Sequence, residues 1–412
     1  MDAVGAQPHL LKMMNQSAVL EVVRRSGPIS RADVARVTGL SRPTVSQVIS
    51  GLLAVDLIRE VGAGESAVGR KPMLLTFNPD AAFVVGVDLG TTKMLLGFAN
   101  LEGRILAEQQ VPTPVQNGPE GIAAALVTNL ARLINLPGIG PARVCGIGVG
   151  VSGAVDMESG MVMEASGLGV RDWPLRRMLE ERFGLPVFVD NDVNVMLRGE
   201  QWKGAVNGHR NALCFSIGSG IGGALLIDGQ IHRGSHHIAG EVGCTLFDRS
   251  QLMMRHLEGY GPLERSISGP GLVLHVSQRL AAGAESSLRP LWEGGQLLSP
   301  REIFAAAREG DALACEVVGW LAQHLALVIG NACLLVDPQI VVLTGSVSTG
   351  ADLFLPPMLA AMRNFVAFMP EVVVSELGAR AGVLGAVAGV LSLGRSSISF
   401  HAGESVMMLG AR

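Results

Sequence analysis

Three short segments of the chain combine residue types that can bind a ligand or move a proton. Glycine-rich turns follow buried strands twice, at Gly90-Thr91-Thr92-Lys93 and at Gly218-Ser219-Gly220-Ile221-Gly222-Gly223. Backbone N–H groups in such turns can approach an anion closely, commonly a phosphate. Between them, Asn191 and Asp192 end a third buried strand, where a carboxylate can accept a hydroxyl proton and an amide can bond a neighbouring hydroxyl. The duplicated loops favour a cleft of nucleotide-binding ancestry, although one such loop could be a plain hairpin and an Asn-Asp pair a plain turn.

A second group of polar side chains lies on one face of a predicted helix near the N-terminus. Residues 30–49 predict a helix capped by Ser30, a turn at Gly39 and a second helix capped by Ser41. Apolar residues recur at helical spacing on one face of the second helix. The opposite face offers polar groups that can reach phosphates and base edges in a major groove: Ser41, Arg42, Thr44, Ser46 and Gln47.

A basic loop follows these helices. Two predicted strands, 57–61 and 73–77, flank a loop of small residues whose tip holds Arg70 and Lys71. Such a tip suits contact with the DNA backbone or the minor groove. The order helix, turn, helix and hairpin predicts a winged helix-turn-helix DNA-binding domain over residues 1–80. The alternative is that two amphipathic helices around a glycine only pack together.

The remaining chain repeats one arrangement of elements. A strand, a glycine loop, a strand, a turn and another strand begin at Phe83, and the same order begins at Ala212. We therefore predict two related α/β lobes that face each other across a cleft. The first spans residues 81–198 and is completed by a C-terminal helix near 380–395, and the second spans residues 199–379.

Length, charge and cysteine usage limit the possible classes of protein. The 412 residues are enough for two or three domains, and the net charge of −4 is uneven, since residues 1–80 carry nine Lys or Arg against seven Asp or Glu. Five scattered cysteines form no C-x-x-C pair, which favours a reducing compartment without disulfides. No apolar stretch predicts a membrane span and no signal peptide precedes the first helix, so we expect a cytoplasmic protein that does not contact membranes.

In its motifs the chain resembles the ROK family of bacterial repressors and sugar kinases, and in particular its regulator branch. In the N-terminal domain, residues 30–46 are similar to the family pattern S-R-x-x-(L/V)-A-x-x-T-G-L-S-x-x-T-V-S, and residues 69–72 are similar to the G-R-(R/K)-P that follows it. Residues 88–93 and 218–223 resemble the two phosphate loops, and residues 341–346 resemble a later loop near the adenosine. By the same resemblance, Asn191 and Asp192 stand at the sugar-binding Asn and the catalytic base of the kinases. Glu241 and Glu264 fall in segments that contact sugar hydroxyls.

The chain also departs from the family pattern. Cys244 stands where the family keeps a His that binds zinc and sugar, and the three zinc cysteines fall on Arg255, Leu257 and Pro262. One soft ligand cannot hold a tetrahedral structural zinc, so we expect no metal and no cofactor, and Cys244 with His256 would make only half a site.

Three further departures lie in the sugar and phosphate segments. Gly167 replaces a sugar-loop Asn, Ser152 replaces a Pro, and Thr91 stands where the kinases have Gly. A β-branched residue there would obstruct a phosphate, so we expect Gly90, Thr91, Lys93, Gly218, Ser219 and Gly220 to be vestigial phosphate loops.

The resemblance implies a transcriptional repressor of carbohydrate metabolism. It implies a winged helix-turn-helix on an actin-like, ribonuclease H-type two-lobed body that senses a sugar or a sugar derivative. The expected partners are operator DNA and a carbohydrate effector. The expected assembly is a homodimer or homotetramer with recognition helices about 34 Å apart, or a multiple of that. Two alternatives stay open: an active sugar kinase with Asp192 as base, and a body that binds a partner protein instead of a sugar.

Overall fold

The computed structural model describes residues 8–63, 72–136, 143–253 and 261–393. The predicted wing residues Arg70 and Lys71 lie outside these ranges, as do Arg255, His256 and Leu257 of the altered zinc segment. The helices are α1 Pro8–Ser26, α2 Arg31–Thr38, α3 Arg42–Ala54, α4 Gly118–Ile134, α5 Leu175–Phe183, α6 Asp192–Lys203, α7 Pro262–Ile267, α8 Gly269–Ala281, α9 Arg289–Glu293, α10 Pro300–Arg308, α11 Ala312–Val336, α12 Ala351–Met362 and α13 Arg380–Leu393. The strands are β1 Ile29–Ser30, β2 Ile58–Ala63, β3 Met73–Phe77, β4 Phe83–Leu89, β5 Lys93–Asn100, β6 Ile105–Pro112, β7 Val144–Val151, β8 Ala154–Asp156, β9 Met161–Ala165, β10 Val170–Trp173, β11 Val187–Asn191, β12 Ala212–Ile217, β13 Ile221–Ile227, β14 Gln230–His232, β15 Ile340–Thr344 and β16 Glu371–Val374.

The N-terminal domain packs α1, α2 and α3 with a three-stranded antiparallel sheet of order β1-β3-β2. The Ser30 hydroxyl begins α2 by accepting the backbone N–H of Asp33 at 3.2 Å. Gly39 ends that helix with a φ of +70°, and the Ser41 hydroxyl begins α3 by accepting the N–H of Thr44 at 3.3 Å. These features confirm the predicted winged helix-turn-helix. The short strand β1, which the sequence pattern did not reveal, extends the wing sheet.

The first lobe is built on a mixed sheet of order β11-β7-β4-β5-β6. Strand β4 lies parallel to β7 and antiparallel to β5. Successive side chains of a strand point to opposite faces, so Phe83 and Val85 of β4 pack with α4 and α5, whereas Val84 packs with α6 and α13. A small sheet of order β10-β9-β8 joins the same core, and the sequence did not predict it.

The second lobe repeats this plan with a sheet of order β14-β13-β12-β15-β16. The hairpin series β12, β13, β14 corresponds to β4, β5, β6, and β15 lies parallel to β12 as β7 does to β4. The repeated plan confirms the predicted two-lobed α/β body. Among the described residues, one helix, α11, has the length and apolar composition to cross a membrane, and most of its apolar window is buried within this lobe.

Helices α6 and α13 lie side by side against the first-lobe sheet. A Cβ atom on Gly199 of α6 would meet the backbone oxygen of Ala381, and one on Gly385 of α13 would meet the backbone oxygen of Val195. Bare glycines therefore permit the close approach of the two helices. Because α6 also contacts β12 and β13 of the second lobe, α6 lies at the junction of the lobes.

The second glycine loop is shorter than predicted. Residues 221–223 belong to β13, with Ser216 opposite Gly222 in an antiparallel pair, so the loop proper is residues 218–220. A Cβ on Gly222 would lie 2.6 Å from Cγ2 of Val193, which shows that this glycine serves packing. Lys93 likewise begins β5 and is not a loop residue. Glycine permits extended backbone as readily as a turn, and the pairing partner decided between them.

Candidate functional site

The exposed face of α3 is the candidate DNA-reading surface. Val45, Ile49 and Leu52 bury the inner face of the helix against the domain core. On the outer face, Ser41, Arg42, Ser46 and Gln47 are exposed and Thr44 is half-buried: the five predicted DNA-binding residues within the described ranges. The face is therefore polar and open to solvent.

The five side chains on this face are not equally free to bind DNA. The hydroxyls of Ser41 and Thr44 lie 2.8 Å apart and hydrogen-bond to each other, and Ser41 also caps the helix. Within the described ranges, the side chains of Arg42, Ser46 and Gln47 make no hydrogen bond or ion pair. These three groups are consequently the ones available for base edges and phosphates.

The second candidate site is the cleft between the lobes, where Asn191 lies at the end of β11. Its Oδ1 accepts the N–H groups of Val193 at 2.9 Å and Asn194 at 3.1 Å, and so caps α6. Its Nδ2 donates to the backbone oxygen of Gly153 at 3.0 Å. The amide therefore fixes the start of α6, and the same side chain also hydrogen-bonds the Asp192 carboxylate.

Asp192, the first residue of α6, is held by backbone and side-chain donors. Its Oδ1 accepts the Val193 N–H at 2.9 Å, and the Ser152 hydroxyl donates to the same carboxylate. Burial nevertheless raises the pKa of Asp192 to about 6. Ser152, noted in the sequence only as a missing proline, thus acts directly on the predicted sugar-binding acid.

Asp88 is a cleft residue that the predicted site set omitted. It is the penultimate residue of β4, next to the first glycine loop. Burial raises the pKa of its carboxyl to about 7, the negative charge of Asp192 adds to the rise, and Lys93 opposes it. The signal that could have found it was its place at the end of a buried strand, like Asp192 after β11.

Glu241 and Glu264 bring second-lobe carboxylates to the same place. Burial raises the pKa of Glu241, and the charges of Asp192 and Glu264 add to it. Burial also raises the pKa of Glu264, with a smaller contribution from Asp192, although its Oε1 accepts the Ile221 N–H at 3.1 Å. The structure therefore brings the predicted carboxylates Asp192, Glu241 and Glu264 together from both lobes.

The two glycine loops use several of their polar groups internally. The Gly90 N–H donates to the oxygen of Lys93 at 3.1 Å, and the Gly218 N–H donates to the oxygen of Gly220 at 2.8 Å. The Lys93 ammonium donates to Gln110 at 3.2 Å. Donors already engaged in this way are poorly placed to hold phosphate oxygens.

Cys244 and Pro262, the described residues of the altered zinc segment, do not fit a zinc ion. Partial burial of the Cys244 thiol and the negative charges of Glu241 and Glu264 raise its pKa, which disfavours the thiolate that a metal needs. Pro262, at a former cysteine position, begins α7. Across the ranges that the structure describes, no three His, Cys, Asp or Glu side chains converge as metal ligands.

Comparison with known proteins shows which families and proteins this chain is similar to. The family model described as "ROK family" matches residues 84–392, and the model described as "MarR family" matches residues 11–66. A protein named xylose repressor from Caldicellulosiruptor bescii is 29% identical over 93% of this chain and 96% of its own length. A glucokinase from Halalkalibacterium halodurans is 33% identical over 73% of this chain and 92% of its own.

A solved structure of a ROK family transcriptional regulator, described as a homologue of the E. coli MLC protein, has the same fold. It superposes with a TM-score of 0.79 and covers 93% of this chain and 96% of its own, at 24% identity. The repressor and the regulator match head and body together, whereas the match to the glucokinase covers a smaller share of the chain. Because the family model spans well over half of its residues, this chain belongs to the ROK family.

Proposed function

We propose that this protein is a DNA-binding transcriptional repressor of carbohydrate metabolism whose kinase-like body binds a sugar or a sugar derivative. The observation that carries the proposal is the exposed polar face of α3, on a winged helix domain joined to the two-lobed body. The full-length similarity to a protein named xylose repressor supports it.

Binding to operator DNA is tested with full-length variants in α3. Gln47→Ala should relax base preference at one operator position, because a side-chain amide can bond a base edge. Arg42→Ala should weaken binding to all sequences and reduce the slope of log affinity against log salt by about 1. Arg177→Ala is the matched control, since Arg177 is 73% exposed on α5 of the body. Wild-type affinity and slope in both α3 variants would contradict the proposal.

The proposed effector site is the set of cleft residues Asn191, Asp192, Glu241 and Glu264. Several carboxylate acceptors suit the hydroxyls of a sugar, and a wrong ligand that shields these acceptors from water without pairing them would bind less tightly. Asp192→Ala should abolish the effector response and leave operator binding intact, because Asp192 belongs to the body. Release of operator at wild-type sugar concentrations by this variant would place sensing elsewhere.

We further propose that the body does not transfer phosphate. Two observations support this proposal. The backbone N–H groups of Gly90 and Gly218 are engaged in internal hydrogen bonds, and the β-branched Thr91 occupies the first glycine loop, where it would obstruct a phosphate. The assay is sugar-dependent release of ADP from ATP across a sugar panel, with no release expected. Sugar-dependent ADP release that Asp192→Asn removes would identify a kinase and overturn this part of the proposal.

We propose a homodimer as the DNA-binding form. Trp320, Leu327 and Leu334 recur every seven residues on α11 and are 36%, 44% and 57% exposed, which makes an apolar stripe on one helix face. A second copy would cover this stripe isologously and pair two recognition helices. Leu327→Lys should lower the mass measured by sedimentation, whereas Leu297→Lys, at a 98% exposed position away from α11, should not. A monomeric wild-type protein would contradict this proposal.

A further inference from the structure

Thr91, in the first glycine loop, contacts two other segments through the two ends of its side chain. Its Oγ1 lies 3.3 Å from Oγ of Ser219, in the second glycine loop and in the opposite lobe. Its methyl group faces Gly167, in the turn between β9 and β10. One small side chain thus joins three segments around the cleft.

Space, and not backbone conformation, accounts for the glycine at position 167. Gly167 has no left-handed φ, so its backbone would accept another residue. An ideal Cβ at 167 would lie 2.6 Å from Cγ2 and 3.7 Å from Cβ of Thr91, and Thr91 supplies both of the atoms found within 4 Å. Thr91 is therefore what excludes a side chain at this position.

The Thr91 side chain cannot give way at position 167 without changing its contact at Ser219. Threonine is β-branched, so Cγ2 and Oγ1 turn together about one bond. A rotation that moves Cγ2 away from residue 167 also moves Oγ1 away from its 3.3 Å contact with Ser219. Thr91 and Gly167, two departures from the family pattern, are therefore in direct contact, and the threonine accounts for the glycine.

We infer that Thr91 is a positioning residue that couples the 166–168 turn of the first lobe to the 218–220 loop of the second. It fills the space that a side chain at 167 would need and holds the two glycine loops together. This end of the cleft is consequently closed to any ligand group that requires the volume beside residue 167. The inference does not depend on the proposed DNA or sugar binding.

A double-mutant cycle on the full-length protein tests the coupling. Thr91→Ser removes only Cγ2 and keeps the hydroxyl. Gly167→Ala should lower the Tm in the Thr91 background, and in the Thr91→Ser background it should leave the Tm unchanged or raise it, because alanine restricts the unfolded chain. The two effects on the unfolding equilibrium should differ by about tenfold. Gly319→Ala, on α11 with open space around its Cβ position, is the control and should behave alike in both backgrounds.

A second arm tests the contact between the lobes. Thr91→Val keeps the methyl group and removes the hydroxyl, and Ser219→Ala removes the partner. Each should speed amide hydrogen exchange in the 90–92 and 218–220 loops, and the double variant should add little to either single one, because both remove the same hydrogen bond. Equal effects of Gly167→Ala in both Thr91 backgrounds, or fully additive exchange effects of the two hydroxyl deletions, would overturn the inference. Neither measurement uses DNA or sugar, so failure of the proposed function would leave both readouts intact.

Discussion

Removal of the Arg233 side chain should destabilise the body more than removal of any exposed arginine. Arg233 follows β14 in the second lobe, and its Nη2 lies 2.5 Å from Oδ2 of Asp190, the residue before Asn191 on β11. Asp190 is 1% exposed and the Arg233 side chain is 18% exposed. This ion pair therefore joins the two lobes directly beside the predicted sugar-binding residues.

The expected magnitude follows from this burial. Arg233→Ala leaves a buried carboxylate without its main partner, which costs about 3–5 kcal/mol. Asp190 retains the Asn191 N–H at 2.9 Å and the Asn194 amide at 3.3 Å. The guanidinium of Arg198 also lies near Asp190: burial lowers its pKa, and the negative charge of Asp190 partly opposes that shift. Its positive charge therefore compensates part of the charge that Asp190 loses with Arg233. We therefore expect the lower half of the range, about 3–4 kcal/mol.

The assay is urea unfolding of the full-length protein, with Arg210→Ala as the control. The Arg210 and Asp228 side chains form a 3.4 Å pair and are 72% and 79% exposed, so their separation should cost at most about 1 kcal/mol. Arg233 donates to Asp190 through both Nε, at 3.3 Å from Oδ1, and Nη2. Arg233→Lys should therefore recover only part of the loss, because a charge remains but the paired contact is lost. If Arg233→Ala lost no more free energy of unfolding than Arg210→Ala, the argument from the buried pair would be refuted.

Three further predictions concern the cleft, the wing and the metal. Burial raises the pKa of Asp88 to about 7 and that of Asp192 to about 6. Between about pH 4 and pH 7 the folded protein therefore keeps protons on these carboxyls that the unfolded chain has released. The free energy of unfolding should consequently fall as the pH rises through this range. Urea unfolding across this range should show a flatter profile for Asp88→Asn, and an unchanged slope would contradict the assignment. The double variant Arg70→Ala/Lys71→Ala should fold normally, bind operator more weakly and show a smaller salt slope in a fluorescence anisotropy titration; wild-type affinity and slope would make the wing purely structural. Purified protein should contain no stoichiometric zinc and keep its Tm in chelator, whereas about one zinc per chain by elemental analysis would disprove the ligand assignment.

Local chemistry in the sequence was sufficient for much of the fold. The serine caps and the Gly39 turn of the head depend on residues within one helical turn of each other, so their pattern predicts the structure directly. Buried strands such as β4 and β12 were recognisable as apolar runs before glycine, and their repetition predicted two related lobes. Because these strands are recognisable in the sequence, the carboxylates that follow them could also be predicted to lie at the cleft.

Tertiary structure decided the features that depend on neighbours far away in the chain. Residues 221–223 form a strand because β12 pairs with them, and glycine alone could not settle that choice. The raised pKa of Asp88 arises from burial by segments that no local pattern specifies. Thr91 and Gly167 each appeared in the sequence as a separate departure from the family pattern. Only the structure shows that one side chain fills the space of the other, because steric exclusion acts between atoms in space and leaves no trace in the spacing of residues along the chain.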